Sequence, residues 1–295
     1  MDCDQRPKIA VLLAAYNGMS WIKMQVDSIL AQTDVKVDIF ISVDLSDDGT
    51  YEWCESIAKQ DKQIILLPYG KHFGGAAKNF YYLISEVNFS SYDFVSLADQ
   101  DDIWLPNKLA HAIEVILKKN VQALSTDVTA FFQDGRELLI KKSYPQKIFD
   151  YFFESAGPGC TYVIRADALD QFKNFLLDNW LAANNVDYHD WLIYAYFRQN
   201  NLTWWISNQP LMRYRRHEFN QIGPNYGFRA FMMRLSLVRS KWYSKEVEKI
   251  FQLVDPIGAS GLVLKRWFLI GHFHHLRRSP KGVFFLLFLL LTGIY

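Results

Sequence analysis

Residues 94–106 read FVSLADQDDIWLP, an apolar run that ends in three aspartates, Asp99, Asp101 and Asp102. Carboxylates this close repel one another, and two that share a site raise the pKa of one of them. A solvated turn is one interpretation of the cluster, and a bound cation that offsets the repulsion is the other. Because an apolar strand leads into the acids and tryptophan and proline follow them, the sequence favours the cation.

Short apolar runs alternate with helical patterns before this stretch and directly after it. Fully apolar runs of this length are typical of buried parallel strands, and the segments between them carry apolar residues at helical spacing. The alternation predicts an α/β fold of βαβ units, with a mostly parallel sheet flanked by helices. The predicted strands are residues 8–15, 37–44, 63–70 and 92–99, and the predicted helices are residues 21–32, 49–60, 74–87 and 107–120.

The chain of 295 residues is long enough for one large domain or for a domain with a smaller appendage. Half of its residues are apolar and 16% are aromatic, so a substantial core is available. From about Tyr226 the pattern changes to basic amphipathic helices. We therefore expect a boundary at Gly223-Pro224, between an α/β domain of residues 1–224 and a helical region of residues 225–295.

The formal net charge of +1, without a Lys/Arg run among aromatics in the first two hundred residues, argues against nucleic acid as a partner. The amino terminus lacks the basic and then long apolar pattern of a secretory signal. The cysteines are odd in number and widely spaced, which suits neither a disulfide framework nor a zinc site. They favour a cytoplasmic location and are Cys3, Cys54 and Cys160.

A basic cluster of Arg277, Arg278 and Lys281 precedes an unbroken apolar run from Val283 to Leu291. A membrane-spanning helix needs about 20 apolar residues, roughly twice this length. A buried core helix is one interpretation. A helix that lies on the inner face of the plasma membrane is the other, and the sequence favours it because basic and apolar residues are combined.

Polar residues follow each predicted strand at the point where it ends. In open α/β sheets, ligands bind beyond the carboxyl ends of the strands, so these tips should meet at one site. Alternatively, the residues after the second strand form a turn with a helix cap, and those after the third form a plain loop. Mg²⁺ is typically held by one or two carboxylates and substrate phosphates, which suggests a metal–diphosphate site. These strand ends are residues 14–18, 43–50, 74–79 and 99–102.

The motifs VLLAAYNG, SILAQT, VDLSDDGT and LADQDDIWLPNKL together resemble the inverting family 2 glycosyltransferases, which have the GT-A fold. GPGCTYVI, DYHDWLIYAY and YRRHEFNQIG resemble the bacterial rhamnosyltransferase-like branch of that family. The resemblance covers roughly residues 8–223. It implies a nucleotide-sugar donor and Mg²⁺ or Mn²⁺ as the cofactor.

The resemblance also assigns roles to individual residues. It implies that Asp99 and Asp101 form the Asp-x-Asp pair, Asp99 towards the ribose or the metal and Asp101 on the metal. It implies that Asp44 contacts the base, although the family often has two adjacent acids where this chain has Val43-Asp44, so that Asp47 and Asp48 are alternatives. The other expected nucleotide-sugar contacts are Ala15, Tyr16, Asn17, Ser46, Lys78, Asn79, Gln100, Trp104, His189, Arg216 and His217.

An inverting transfer needs a base to take the proton of the acceptor hydroxyl, a step that contributes typically 10²–10⁴-fold. The family's catalytic base is an acid in a Glu/His-Asp-Trp position, which Asp190 matches, with His189 as an orienting or acceptor contact. The alternative is that Asp190 only complements the dipole at a helix amino terminus. For His217 there are two interpretations, a structural role and contact with the metal or the diphosphate.

The leading hypothesis is a transferase that moves L-rhamnose from dTDP-L-rhamnose onto a lipid-linked or surface polysaccharide acceptor by metal-assisted single displacement. A UDP-hexose donor is the alternative within this class. A non-catalytic, membrane-associated glycan-binding protein is the alternative from another class. A nucleotidyltransferase would need a glycine-rich, basic loop after the first strand. The sequence there is AAYNGMSW, which argues against this class of enzyme.

Overall fold

A computed structural model describes residues 5–216 and 241–295 of the chain. Within these residues, two β-sheets are surrounded by helices. The strands are β1 (Lys8–Ala15), β2 (Lys36–Val43), β3 (Ile64–Leu66), β4 (Phe94–Asp99), β5 (Ile103–Trp104), β6 (Ala123–Thr126), β7 (Val128–Phe132), β8 (Glu137–Ile140), β9 (Val163–Arg165), β10 (Trp204–Ser207) and β11 (Met212–Arg216). The helices are α1 (Ile22–Leu30), α2 (Thr50–Gln60), α3 (Ala76–Glu86), α4 (Lys108–Lys119), α5 (Ala166–Asp178), α6 (Trp180–Ala183), α7 (His189–Gln199), α8 (Trp242–Val254), α9 (Arg266–Gly271) and α10 (Pro280–Thr292).

The larger sheet has the strand order β10-β6-β9-β4-β1-β2-β3. Its strands run in one direction except β9, which is antiparallel to both of its neighbours, β4 and β6. The predicted α/β fold is therefore confirmed, with a mixed sheet. A smaller sheet, in the order β5-β11-β7-β8, lies beyond the end of β4. It brings β11 next to the residues that follow the three aspartates.

β1 shows why the central strands are apolar at every position. Successive side chains of a strand point to opposite faces of the sheet. Ile9, Val11 and Leu13 belong to the core on one face, and Ala10 and Leu12 belong to the core on the other. Because helices cover both faces, neither set of side chains reaches water, and the strand is positioned rigidly up to its carboxyl end.

The C-terminal helices share the core of the α/β domain. Val247 of α8, Leu269 of α9 and Leu286 of α10 belong to the same cluster of buried residues as Ala10 and Leu12 of β1. The boundary that we expected at Gly223-Pro224 lies outside the described residues.

The expected basic cluster at the start of α10 is only partly on the surface. Arg278 is buried, and its Nη1 lies 2.8 Å from an Asp150 carboxylate oxygen. Asp150 is itself fully buried and also pairs with Arg198 Nη1, at 3.0 Å. Arg277 Nε lies 3.5 Å from Glu154, and Lys281 is exposed. Buried guanidinium groups need a charged partner, because a buried charge loses its hydration. Removal of one partner of a buried ion pair typically destabilises a protein by about 3–5 kcal/mol.

The C-terminal apolar run, which forms α10, is buried on one side only. Leu286, Leu289 and Leu290 pack in the core, whereas the opposite side of the helix is exposed. Among the described residues, no helix combines the length and the apolar character that are needed to cross a membrane. The exposed side chains are Phe284, Phe285, Phe288 and Leu291.

Candidate active site

The carboxyl ends of β1, β2 and β4 lie side by side. In the register of the sheet, Ala14 is opposite Asp99 and Ala15 is opposite Val43. The Asp44 amide donates to the Ala15 carbonyl at 2.8 Å, which joins the first two strands where they end. The polar tips that follow these strands therefore meet at one edge of the sheet, as the sequence predicts.

The loop after β1 is bonded to the other two tips. The Gln100 side-chain amide spans the backbone of Tyr16, accepting from its N–H at 2.7 Å and donating to its carbonyl at 2.6 Å. Asn17 has a left-handed backbone, with φ of 43°, and its N–H donates to Ser46 Oγ at 3.0 Å. Its side-chain oxygen accepts from the Asp47 N–H at 3.0 Å. These predicted site residues therefore form one connected surface, on which the Tyr16 side chain is exposed.

Asp44 is almost completely buried, and its carboxylate organises the loop after β3. It accepts from the N–H groups of Phe73 at 2.9 Å and Gly74 at 3.0 Å, and from its neighbour Leu45 at 2.8 Å. Its oxygens thus hold residues 72–74 over the end of β2. Contact between Asp44 and the base stays a prediction.

Asn79 and Trp104 are buried next to the candidate site. Asn79 is buried, and its Nδ2 donates to the Ser42 carbonyl at 3.1 Å and reaches that of Ala15 at 3.4 Å, which ties β2 to β1. Trp104 is buried, and the Lys108 Nζ lies 3.3 Å from the centre of its indole ring. Lys78 is exposed at the start of α3.

The acids after β4 are crowded and poorly hydrated. Ligand atoms of Asp99, Asp102 and Cys160 lie within 4.8 Å of one another. Burial, and then the charge of Asp101, raise the pKa of Asp99 to about 7. Asp102 is fully buried; one of its oxygens accepts from the Arg215 N–H at 3.0 Å, and the other has no hydrogen-bond partner in the described part of the chain. The crowding that the sequence predicts is therefore present.

This donor set fits a hard divalent cation. Burial raises the pKa of the Cys160 thiol well above its usual value, so the sulfur stays protonated and is a poor ligand. Carboxylate oxygens remain, and they suit Mg²⁺ and Mn²⁺. Asp99 is only partly buried and Asp101 keeps a little exposure, whereas Asp102 lies wholly beneath the surface. Asp99 and Asp101 are therefore the carboxylates that a cation shared with a diphosphate could reach.

Asp190 lies in the first turn of α7 and shares the site with these acids. Its carboxylate accepts from the Trp191 N–H at 2.8 Å, and its charge contributes to the raised pKa of Asp99. Burial raises the pKa of Asp190 to about 6. The carboxylate is therefore ionised at neutral pH but readily protonated, which suits a general base.

His189 is buried beside Asp190 as a neutral ring. It stacks on Phe80, with 4.0 Å between the ring centres, and its Nε2 has no hydrogen-bond partner among the described residues. Burial lowers the pKa of His189 to about 3. At neutral pH the ring carries no charge, so it can orient a neighbouring side chain or hydrogen-bond a hydroxyl group.

Three residues around Asp190 are not among those that the sequence predicts. The Ser155 side chain and the positive charge of Lys142 both lower the pKa of Asp190, while the Ser155 hydroxyl donates to the Gly157 carbonyl at 3.0 Å. A Cβ atom at Gly159 would lie 2.5 Å from His189 Nε2 and 3.2 Å from Asp190 Cβ, so a larger residue there would have to displace both side chains. Gly159 lies in the GPGC motif, which was a signal, but no local pattern marks Ser155 or Lys142.

The arginines of β11 have different environments. Arg213 pairs with Glu137 at 2.6 Å, and Arg215 Nε donates to the Asp101 carbonyl at 2.8 Å. Arg216 is largely buried, with its guanidinium carbon 5.8 Å from the centre of the Tyr214 ring. His217 lies outside the described residues.

A largely parallel sheet that ends in an Asp-x-Asp pair, with a further carboxylate from a helix in the same site, defines a glycosyltransferase of the GT-A type. The family model described as "Glycosyl transferase family 2" matches residues 10–172. The chain belongs to this family, and it is a transferase.

Two relatives have names that specify a nucleotide-linked sugar. The chain is 43% identical over 289 residues to "dTDP-rhamnosyl transferase RfbG" of Shigella flexneri, covering 96% of this chain and 100% of that protein. It is 24% identical over 197 residues to "UDP-Glc:alpha-D-GlcNAc-diphosphoundecaprenol beta-1,3-glucosyltransferase WfgD" of Escherichia coli, covering 66% of this chain and 72% of that protein.

Solved structures share the fold at low identity. S. aureus TarS 1-349 in complex with UDP-GlcNAc superposes with a TM-score of 0.56 and 14% identity, covering 97% of this chain and 88% of that one. The mannosyltransferase PcManGT from Pyrobaculum calidifontis, in complex with GDP-Man and Mn²⁺, superposes with a TM-score of 0.53 and 15% identity, covering 98% and 81%.

Gly159→Ala should impair turnover, because the added methyl group pushes His189 and Asp190 out of place. The stacked His189 ring has little room to move, and a displacement near 1 Å in a catalytic site can lower the rate about 10²-fold. Gly271→Ala is the matched control, because nothing lies within 4 Å of a Cβ atom there. Steady-state kinetics of both variants test this; equal turnover would contradict the close approach.

Proposed function

We propose that the chain moves L-rhamnose from dTDP-L-rhamnose onto a lipid-linked or surface polysaccharide acceptor, by single displacement with inversion. The observation that carries the proposal is that Asp190, a carboxylate ionised at neutral pH, shares one site with the Asp99–Asp101 pair. This arrangement supplies both requirements of the reaction, a base for the acceptor and a place for the leaving diphosphate.

The donor is inferred from similarity. The name of the RfbG relative specifies dTDP-rhamnose, and that relative is matched over its whole length. A UDP-hexose is the second candidate, because the more distant WfgD relative is named for UDP-Glc. Tyr16, Asn17, Ser46 and Gln100 form the surface against which we place the nucleotide. Asp44 holds the loop that borders it.

Mg²⁺ or Mn²⁺ is the proposed cofactor, held by Asp99 and Asp101. When bound, the ion would neutralise charge on the diphosphate as it leaves. The chain itself contributes rigidity here, because Asp99 is the last residue of a buried strand and Gln100 is clamped to Tyr16.

Asp190 is proposed to take the proton from the attacking acceptor hydroxyl. The Trp191 N–H donates to its carboxylate at 2.8 Å, and burial raises its pKa to about 6. The hydroxyl oxygen then bonds to the anomeric carbon as the bond to the diphosphate breaks, which inverts the configuration. The transition state should have oxocarbenium character, as in glycoside hydrolysis.

A panel of nucleotide-sugars tests the donor and the metal together. With Mg²⁺ or Mn²⁺ and a polyprenyl-diphosphate-linked oligosaccharide, dTDP-L-rhamnose should release dTDP, and a chelator should stop the release. Asp101→Asn should strongly reduce it, whereas Asp134→Asn, in an exposed turn between β7 and β8, should not. Release from UDP-hexoses alone would overturn the proposed donor, and full activity with the chelator would overturn the metal.

The pH dependence tests the base. Because the pKa of Asp190 is raised to about 6, kcat/KM should fall about ten-fold per pH unit below that value, as the carboxylate becomes protonated. Asp190→Asn should lower kcat by roughly 10²–10⁴-fold without weakening dTDP binding. Kinetics from pH 5 to 8 and calorimetry measure both effects. A rate that stays flat down to pH 5 argues against this carboxylate.

The acceptor and the location are proposed from α10. Its exposed face presents three phenylalanines and Leu291, and Trp267 of α9 is 78% exposed. Arg266 Nε donates to the Leu290 carbonyl at 2.6 Å, so α9 is fixed against the end of α10. Aromatic side chains flanked by cations, here Lys265 and Lys281, match an anionic membrane surface. We therefore place the enzyme on the inner face of the plasma membrane, where lipid-linked glycans are met.

Vesicle flotation tests this surface. The full chain should float with vesicles that contain phosphatidylglycerol, and less so at high salt because the cations are screened. Phe284→Ser with Phe288→Ser should abolish flotation, and Leu181→Ser, which removes an isolated leucine that is 83% exposed, should not. If the double variant still floats, or if the surface instead holds two copies of the chain together in light scattering, the membrane proposal fails.

A further inference from the structure

Helix α8 of the C-terminal region contacts the segment that leads into α7. The side chain of Glu246 is completely buried, and one of its carboxylate oxygens accepts from the Asp187 backbone N–H at 2.6 Å. The other oxygen pairs with Lys249 Nζ at 2.8 Å, and the same Nζ donates to the Asn185 carbonyl at 2.7 Å. A buried carboxylate and its lysine partner, both from α8, therefore hold the backbone directly before α7.

Trp242, the first residue of α8, contacts the same segment. Its indole N–H donates to the Asp187 carboxylate at 2.7 Å. Its ring packs edge-on against Tyr188, with 5.4 Å between the ring centres. Asp187 is therefore held by α8 at two points, its backbone N–H by Glu246 and its side chain by Trp242.

These contacts matter because α7 lacks a side-chain cap at its first turn. Tyr188, the residue before α7, makes no capping hydrogen bond with its side chain, although Ser, Thr, Asp or Asn at this position usually makes one. Asp190 lies three residues after Asp187, and the N–H that its carboxylate accepts belongs to Trp191 in the same turn. Tyr243 of α8 stacks on Trp191, with 5.8 Å between the ring centres. The position of the Asp190 carboxylate therefore depends on where α8 holds this part of the chain.

We propose that Glu246 and Trp242 are positioning residues for the catalytic base: they fix the backbone at Asp187, and through it the first turn of α7, which carries Asp190. The inference rests on the proposed function, in which Asp190 is the base. The C-terminal region is then required for the transfer step itself, separately from its proposed contact with the membrane.

The chain offers a conservative variant and a matched control on the same helix. In Glu246→Gln the amide oxygen can still accept from the Asp187 N–H, and Lys249, whose side chain is 38% exposed, can turn to solvent. Glu246→Ala leaves that N–H without its acceptor. Glu248 is exposed, and its carboxylate accepts from Gln252 of the same helix at 3.2 Å. Glu248→Ala is therefore the control for loss of a carboxylate from α8.

The experiment measures kcat and donor KM in the full chain, with the donor that the nucleotide-sugar panel identifies. Glu246→Ala should lower kcat about ten-fold with donor KM unchanged, because a displacement near 1 Å in a catalytic site can cost about 10²-fold. Glu246→Gln and Glu248→Ala should each stay within about two-fold of the wild-type kcat. Trp242→Phe keeps an aromatic ring beside Tyr188 but lacks the indole N–H, and it should lower kcat about five-fold. This variant tests the proposal even if Glu246→Ala fails to fold.

Addition of Glu246→Ala to an Asp190→Asn background separates positioning from loss of structure. The residual rate should change by less than about two-fold, because the group that is positioned is gone. A further loss of about ten-fold there would point to general damage and overturn the proposal.

Two other results would overturn the positioning role while the proposed base stands. One is wild-type kcat in Trp242→Phe and in any Glu246→Ala protein that folds. The other is a kcat in Glu246→Gln as low as that in Glu246→Ala, since the ion pair with Lys249 would then matter and the acceptor would not. Wild-type activity in Asp190→Asn overturns both the proposed base and this inference.

Discussion

The repulsion among the carboxylates at the end of β4 is the constraint on which the rest of the site depends. Burial, and then the charge of Asp101, raise the pKa of Asp99 to about 7 from an ordinary value of 3.8. An acid with a raised pKa in the folded state contributes most stability when protonated, so its contribution to folding is lost as the pH rises through this window. At neutral pH the charged carboxylates therefore repel one another, and the surrounding structure has to keep them in place. The fully apolar β1, clamped at its end by Gln100 and Asn79, supplies that rigidity.

The sequence predicted the parts of the fold and the site that local pattern controls. Apolar runs and helical spacing located β1 to β4 and their helices, and polar residues after buried strands located Tyr16, Ser46 and Gln100, because parallel strands must end at one edge. Ser155 and Lys142 could not be found this way, since they meet Asp190 only through the folded chain. The two arginines before α10 look the same in sequence whether they face lipid or the core. Their partners, Asp150 and Glu154, lie more than a hundred residues away.

In the C-terminal region, the short helix α10 has one apolar side that is buried and another that is exposed. Leu286, Leu289 and Leu290 belong to the protein core, whereas the other side of α10 is apolar and exposed. An apolar run of about half the length that crosses a bilayer is long enough to fill part of the core and to leave an apolar face exposed. Because Arg278 lies two residues before this helix, the surface that we assign to the membrane is joined to the buried Arg278–Asp150 ion pair by a short piece of chain.

The reversed direction of β9 has a consequence for how such an enzyme can diversify. An antiparallel strand begins at the edge where its parallel neighbours end, so the residues before β9, including Gly159 and Cys160, arrive at the aspartates from a separate part of the chain. In the proposed function, the Asp99–Asp101 pair therefore comes from residues before 105, and the proposed base, Asp190, comes from residues after 140. Divergence of the later segment would change the surroundings of the proposed base without changing the strand that ends in the aspartates.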